Sequence, residues 1–269
     1  ICPNCNAHLA NDLSSIPKNC CNCNYKINFL NKEKKSVPIL LSESPNLIYE
    51  SKVKRIGSNS RYVRFIYSFF SQTRINSIFL FEYCKRNINV DFKILVVGGA
   101  TYSFGLEKFL KNFKKYIYFS DIYYTEIINV ICDGHNLPFA NNSFDIVIST
   151  SVLEHLSNPN KASKEISRVL KKNGFLYSEL PFLQSIHEKD YDFTRYTLNG
   201  HINLFSDLEI CEKGISKGFY IVILWLIREQ INILSPFFSK FIFVILYPLF
   251  YTLDKLLRYY FRNSYSESF

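Results

Sequence analysis

Between residues 61 and 215, short continuous apolar runs alternate with segments whose apolar positions recur at a helical period. Arg61–Asn87 is helix-like, with aromatics spaced at about a helical turn. Lys93–Val97 (KILVV) is an apolar run closed by Gly98-Gly99, the pattern of a strand buried on both faces. Ser103–Asn112 is a helix candidate with Ser103 as N-cap. Tyr116–Ser120, Val130–Cys132, Phe144–Ser149 and Phe175–Leu180 are further strands. Between the last two, Asn160–Lys172 is an amphipathic helix that Asn173-Gly174 should close. Repeated strand-helix-strand units predict an α/β fold, a doubly wound and mainly parallel sheet with helices on both faces.

The flanks differ in pattern. Residues 1–30 are rich in Cys and Asn, and residues 31–60 are polar with Pro38, Pro45 and Gly57, which reads as a linker. Residues 216–269 form an apolar helical C-terminal extension. In it, Phe219–Ile227 is apolar throughout and Phe241–Leu253 is a second run. Neither reaches the roughly 18–20 apolar residues that span a bilayer. Arg228, Lys240, Lys255, Arg258 and Arg262 border these runs against Glu229 and Asp254. That arrangement suits a peripheral membrane contact through residues 219–262; a helical cap packed on the sheet, or a dimer interface, fits the same pattern. No internal repeat is evident.

Composition narrows the picture. Hydrophobic residues are 48% and aromatics 17% of 269, which excludes disordered, collagen-like and coiled-coil classes. The net charge is +9, but Lys and Arg are dispersed, so no nucleic-acid partner is favoured. Met is absent and the chain begins at Ile1, so further residues are expected upstream. Four cysteines fall in two pairs, Cys2-Pro3-Asn4-Cys5 and Cys20-Cys21-Asn22-Cys23, fourteen residues apart. Two such knuckles supply the four thiolates of a tetrahedral zinc site, with Cys21 a bystander. A disulfide framework is the alternative.

In an open parallel sheet, ligands sit at the carboxyl ends of the strands. Gly98-Gly99-Ala100 and Gly105 follow the first strand, and small residues there admit a close ligand. Asp121, 23 residues beyond Gly98, stands where a carboxylate takes both hydroxyls of a ribose. Asp133 follows the third strand, where it can accept from an exocyclic amine. Either aspartate alone is equally explained as a cap or turn residue.

Taken together, several strings resemble class I S-adenosylmethionine-dependent methyltransferases of the type 11 kind, with a Rossmann-like sheet. They are Val96-Val97-Gly98-Gly99, Asp121, Asp133-Gly134-His135-Asn136-Leu137-Pro138-Phe139, Ser143-Phe144-Asp145-Ile146-Val147, Val152-Leu153-Glu154-His155-Leu156 and Glu165 through Gly174. The resemblance covers about residues 90–212, within a methyltransferase domain at 61–215, and the N-terminal segment 1–30 looks like a zinc ribbon. It implies methyl transfer from S-adenosylmethionine, with Gly98, Gly99, Ala100, Gly105, Asp121, Asp133, Gly134, His135 and Ser149 around that cofactor. Structural zinc on Cys2, Cys5, Cys20 and Cys23 would serve docking or stability. The string from Glu179 to Phe182 and from His187 to Thr197 is similar to a subgroup linked to surface glycans and the cell envelope, so the expected acceptor is a small molecule or glycan. For a hydroxyl acceptor the candidate bases are His155, Glu179, His187 and Asp192, and Arg195 can clamp an anionic group on it. Two departures stand out: Val96 replaces the usual acidic residue, and Ala100 the usual glycine. They leave a non-catalytic binding or scaffold protein as the rival reading. The expected location is the cytoplasm, at the inner face of a membrane if the tail engages it.

Overall fold

The apolar runs become strands because β-branched and aromatic side chains pack well on a pleated surface covered on both sides. The structure, a computed structural model, describes residues 1–11, 13–32, 35–41, 49–50, 72–100, 105–187, 189–214, 216 and 218–260. Strands in chain order are β1 (Asn28–Lys32), β2 (Lys35–Leu40), β3 (Tyr49–Glu50), β4 (Ile94–Val97), β5 (Ile117–Asp121), β6 (Tyr123–Tyr124), β7 (Val130–Cys132), β8 (Phe144–Thr150) and β9 (Leu170–Glu179). Helices are α1 (Gln72–Asn87), α2 (Glu107–Asn112), α3 (Pro159–Val169), α4 (Leu198–Leu204), α5 (Phe219–Leu234) and α6 (Pro236–Tyr260). The chain divides into two units, Ile1–Lys54 with Ile88–Tyr102 and Phe113–Leu180, and Arg55–Asn87 with Ser103–Asn112 and Pro181–Phe269.

The first unit holds a seven-stranded sheet in the order β1-β2-β7-β5-β4-β8-β9. Every neighbouring pair is parallel except β1–β2. β4 lies in the interior of the sheet, all four of its residues buried, with β5 on one side and β8 on the other. Strand order reverses there, the position at which a doubly wound sheet binds its ligand. The fold class expected from the alternating pattern is the one observed.

Two sequence expectations are corrected here. Residues 31–60 are not all linker: β2 pairs with β7 through Ile39–Ile131 and Leu40–Cys132, and buries Val37, Ile39 and Leu40. Polarity hid this strand because only its second half is continuously apolar. The helix expected to run to Lys172 ends at Val169. It starts at Pro159, one residue before the expected Asn160, because the Asn158 side chain accepts from the Lys161 N–H as N-cap and Pro159 fits the first turn. Ala162, Ile166 and Val169 are buried at helical spacing. Leu170 is already extended and pairs with Phe144, whereas Ile146 pairs with Phe175, so the extra residues form a bulge. Asn173, at φ +66°, turns that bulge rather than capping the helix. The Lys171 ammonium lies 2.9 Å from both oxygens of Asp145, which also accepts the Lys93 N–H at 2.8 Å. Asp145 of the Phe-Asp string is therefore a brace between strands.

In the second unit, α5 and α6 form a helical hairpin around Ile221, Leu224, Phe243 and Tyr247. Asp254 of α6 is buried and accepts from the N–H groups of Tyr220 (2.7 Å) and Ile221 (3.2 Å), the orphan donors in the first turn of α5. A Cβ at Gly218 would meet the Asp254 carboxyl carbon at 2.3 Å, so this helix is capped from its partner. Asp254→Ala leaves two buried N–H groups without an acceptor and should cost about 2 kcal/mol, read as a lower midpoint in denaturant with α5 losing amide protection. α6 also corrects the tail's expected reach. Its Pro236–Leu257 stretch of 22 residues is long and apolar enough to cross a membrane by length and composition, because the helix continues through Lys240 and Pro248. Residues 61–71 of the first expected helix, Ser103 and Arg262 lie outside the described residues.

Candidate cofactor site and cysteine cluster

At the carboxyl end of β4 the chain must turn sharply. Gly98 has φ +71°, and a Cβ on it would fall 2.2 Å from Cγ2 of Val152, which follows β8. Gly99 donates to the Ser120 carbonyl at 2.9 Å, and a Cβ on it would meet Phe119 at 3.0 Å. Asp121, at the end of β5, accepts from the Ala100 N–H at 2.9 Å and the Tyr123 N–H at 3.0 Å, one on each oxygen. The carboxylate thus holds the glycine turn, and since a carboxylate oxygen accepts from more than one donor, a hydroxyl can approach it as well. Gly105 has φ +94° and donates to Glu107 at 2.7 Å, opening α2.

After β7, Asp133 and His135 form a local relay. One Asp133 oxygen accepts from the His135 backbone N–H at 2.9 Å and lies 2.7 Å from His135 Nδ1. His135 Nε2 lies 3.1 Å from the Asn158 N–H and must accept from it, so the ring carries its proton on Nδ1 and gives it to Asp133. His135 is thereby a positioning residue for Asp133, whose other oxygen has no hydrogen-bond partner among the described residues. A Cβ on Gly134 would meet Leu156 at 3.2 Å, so this turn too packs closely.

The loop beyond is clamped by a fork that sequence patterning did not assign a task. Arg168 pairs with both oxygens of Glu165 at 2.7 Å and donates to the carbonyls of Leu137 (2.8 Å) and Phe139 (2.7 Å). Glu165 in turn accepts the Leu137 N–H at 2.8 Å. A bidentate Arg–carboxylate pair with two carbonyls fixes backbone position tightly.

At the end of β8, Ser149 is fully buried and its hydroxyl has no hydrogen-bond partner among the described residues. It sits level with Val97 on β4 and Ser178 on β9. Ser151 follows at φ +54° and donates to the Glu179 carbonyl at 2.9 Å. Such a backbone in a non-glycine residue is uncommon and clusters at functional turns. His155 Nε2 lies 3.7 Å from the fully buried carboxylate of Glu154. Glu179 is engaged by the Tyr177 hydroxyl, which sets it apart from a free base.

His187, Asp192 and Arg195 form a cluster of their own in the second unit. Arg195 grips both Asp192 oxygens and donates to the carbonyls of Gln184 (3.0 Å), Thr194 (2.9 Å) and Ser185 (3.2 Å). The His187 N–H adds a bond to Asp192 at 2.7 Å. The Arg195 guanidinium holds the Asp192 carboxyl well below the usual carboxylate range. Asp192 is therefore too weak a base for proton abstraction, and Arg195 is committed to stapling its own loop rather than clamping an acceptor.

The four cysteines converge. Cys2 and Cys23 sulfurs are 3.7 Å apart, as are those of Cys5 and Cys20, and all four lie within 4.8 Å of one another. Four sulfurs about 2.3 Å from a central ion stand at about that separation, whereas a disulfide needs about 2.05 Å. Cys21 is exposed and outside the cluster. Here an internal repeat does exist: Cys-x-Asn-Cys-Asn recurs at 2–6 and 20–24. In each copy the asparagine after the second cysteine is left-handed (Asn6 φ 58°, Asn24 φ 55°) and its N–H donates to the first cysteine's carbonyl at 2.9 Å. The middle asparagines cross over: the Asn4 amide reaches Cys23 sulfur at 3.4 Å and the Asn22 amide reaches Cys5 sulfur at 3.5 Å. The Asn22 contact pulls the Cys5 thiol down to about 6, and burial pushes Cys2 up to about 12.

Residues 106–178 match the family model described as a methyltransferase domain. That stretch carries Asp121, Asp133, the Glu165–Arg168 fork and β8. The "Uncharacterized protein MJ1123" of Methanocaldococcus jannaschii is 30% identical over 94 residues, 34% of this chain and 45% of that protein. The chain thus spans less than half the length of the curated relative it matches. Among solved structures, phospholethanolamine N-methyltransferase 2 of Haemonchus contortus is 15% identical with TM-score 0.41, covering 79% of this chain and 56% of that one. The YcgJ protein of Bacillus subtilis is 20% identical with TM-score 0.35, covering 46% of this chain and 63% of that one.

Proposed function

We propose that the chain transfers a methyl group from S-adenosylmethionine to a small-molecule or glycan acceptor, with a structural zinc ion on the N-terminal knuckles. The observation that carries the reading is the set of groups gathered at the carboxyl ends of β4, β5, β7 and β8. They are a tight glycine turn with Gly98 at φ +71°, two carboxylates and a buried hydroxyl without a partner among the described residues. This donor set fits the cofactor. Gly98 and Gly99 let the backbone approach it, Asp121 takes the ribose hydroxyls, and Asp133, aimed by His135, takes the adenine amine. Bound there, S-adenosylmethionine supplies a sulfonium methyl for in-line displacement. His155 is the base for a hydroxyl acceptor, with a Glu154 carboxyl oxygen 3.7 Å from its Nε2. Holding acceptor and methyl in line supplies the rest of the acceleration.

The non-catalytic reading rests on Val96, which is buried within the sheet and offers no carboxylate to the cofactor's amino group, and on Ala100 in place of the usual glycine. Calorimetric titration with S-adenosylmethionine separates the two. The full chain should bind it, and Asp121→Ala should weaken binding about tenfold or more, since ribose contacts and the glycine turn fail together. Absence of binding at about millimolar concentration removes the enzyme reading.

A further inference from the structure

The α5–α6 hairpin presents an apolar tip that its own core leaves uncovered. Ile233, Leu234, Phe237 and Phe238 at the turn are 78%, 86%, 75% and 59% exposed. The turn is well made: Ser235 donates to the Ile231 carbonyl at 2.8 Å, and the Ser239 hydroxyl donates to the Arg228 carbonyl at 3.2 Å. No charged residue occurs from Gln230 to Ser239. Immediately behind that stretch stand Arg228, Glu229 and Lys240, a ring with one net positive charge. Arg228 lies over the Phe243 ring at 5.1 Å, which fixes its height on the hairpin.

At about 1.5 Å per residue, the uncharged tip is roughly 7–9 Å deep on either helix. Interfacial elements bury an apolar face about 5–10 Å into the headgroup and acyl boundary, with cations at the phosphates. Depth and charge placement both match one leaflet. A crossing does not match: the uncharged run between Lys240 and Asp254 is about 20 Å long, short of the ~30 Å hydrocarbon core. Asp254 is also committed to the first turn of α5.

We infer that the α5–α6 hairpin is a monotopic membrane anchor. It enters one leaflet tip first, with Ile233, Leu234, Phe237 and Phe238 among the acyl chains and Arg228 and Lys240 at anionic headgroups. The inference does not depend on methyl transfer, and it goes beyond surface contact by fixing which end enters and how deep.

The test is flotation of the full chain with vesicles of phosphatidylcholine plus phosphatidylglycerol, and with phosphatidylcholine alone. The full chain should float with the mixed vesicles and less with the neutral ones. Leu234→Ser with Phe237→Ser should lower partitioning about tenfold or more, with helical circular dichroism and unfolding midpoint unchanged, because both side chains are already exposed. Lys240→Glu, which makes the ring net negative, should remove the preference for phosphatidylglycerol. Phe237→Trp on a Trp225→Phe background should shift to the blue on binding and be quenched by acyl-brominated lipid. The inference is overturned if the chain stays soluble with both vesicles, or if the tip variant floats as well as the parent. It is equally overturned if the tip variant converts a dimer to a monomer and leaves vesicle binding unchanged, since a second copy then covers the tip.

Discussion

Gly98→Ala should lose both stability and cofactor binding, by about 3 kcal/mol or more in unfolding free energy. Two costs add. The backbone there has φ +71°, which an L residue adopts at a cost of about 1–2 kcal/mol. The new methyl would also sit 2.2 Å from Val152 Cγ2 and 3.1 Å from Cγ1. Val is branched at Cβ, and Val152 Cβ itself stands at 3.2 Å, so rotating χ1 moves one methyl away and brings another in. The backbone after β4 or β8 must shift, and both loops belong to the candidate site. Denaturant unfolding reads the stability term, and titration with S-adenosylmethionine the binding term. Val152→Ala in the same chain removes both γ carbons. The double variant should therefore recover all but the roughly 1–2 kcal/mol backbone cost, a coupling that a merely additive pair would lack. If Gly98→Ala unfolds and binds like the parent, the cradle is not tight and the proposed cofactor position is wrong.

Much of this site was legible in the chain. Apolar runs such as Ile94–Val97 and Phe144–Thr150 are strands because a parallel sheet is buried on both faces, and the sequence shows that burial directly. Gly98, Asp121 and Asp133 fall at strand ends, where topology alone says ligands sit. What stayed hidden depends on partners far away in sequence. Lys35–Leu40 reads as linker because its first half is polar, and it is a strand because it pairs with β1 on one side and the distant β7 on the other. Asn173-Gly174 carries the signature of a helix stop, and only the pairing of Leu170 with Phe144 shows that the helix has already ended. Arg195 looked like an anion clamp because a lone arginine near polar residues does. Its donors are spent on Asp192 and three carbonyls, a loop geometry that no spacing rule specifies. Asp254 shows the same limit. As a single acidic residue in an apolar tail it read as a border charge, yet it caps the helix that runs antiparallel to its own.

Cys20→Ser should release the metal and unfold the N-terminal knuckles. Each sulfur supplies one of four thiolates, and among the described residues the cluster has no fifth cysteine within reach, since Cys21 is exposed and outside it. Structural zinc contributes on the order of 10 kcal/mol to small modules of this kind, far more than so short a segment gains from its own core. Metal loss should therefore be all or none for residues 1–27. The effect should also travel into the sheet. The Ile1 nitrogen donates to the Pro138 carbonyl at 2.7 Å, and the Tyr25 hydroxyl donates to the Leu41 carbonyl at 2.9 Å, just past β2. β2 in turn pairs with β7, which ends at Cys132 beside Asp133. Hydrogen exchange should accelerate first in the knuckles, then in β1 and β2, and leave β4 and β8 protected. Metal analysis should give one zinc per chain for the parent and for Cys21→Ser, and well under one for Cys20→Ser. The alternative of a disulfide framework predicts the reverse sensitivity: reductant, rather than chelator, would open the segment. The paired sulfurs are 3.7 Å apart, too far for a disulfide and close to the separation of thiolates around one zinc ion, and the Asn4 and Asn22 amides are placed as outer partners of such a site.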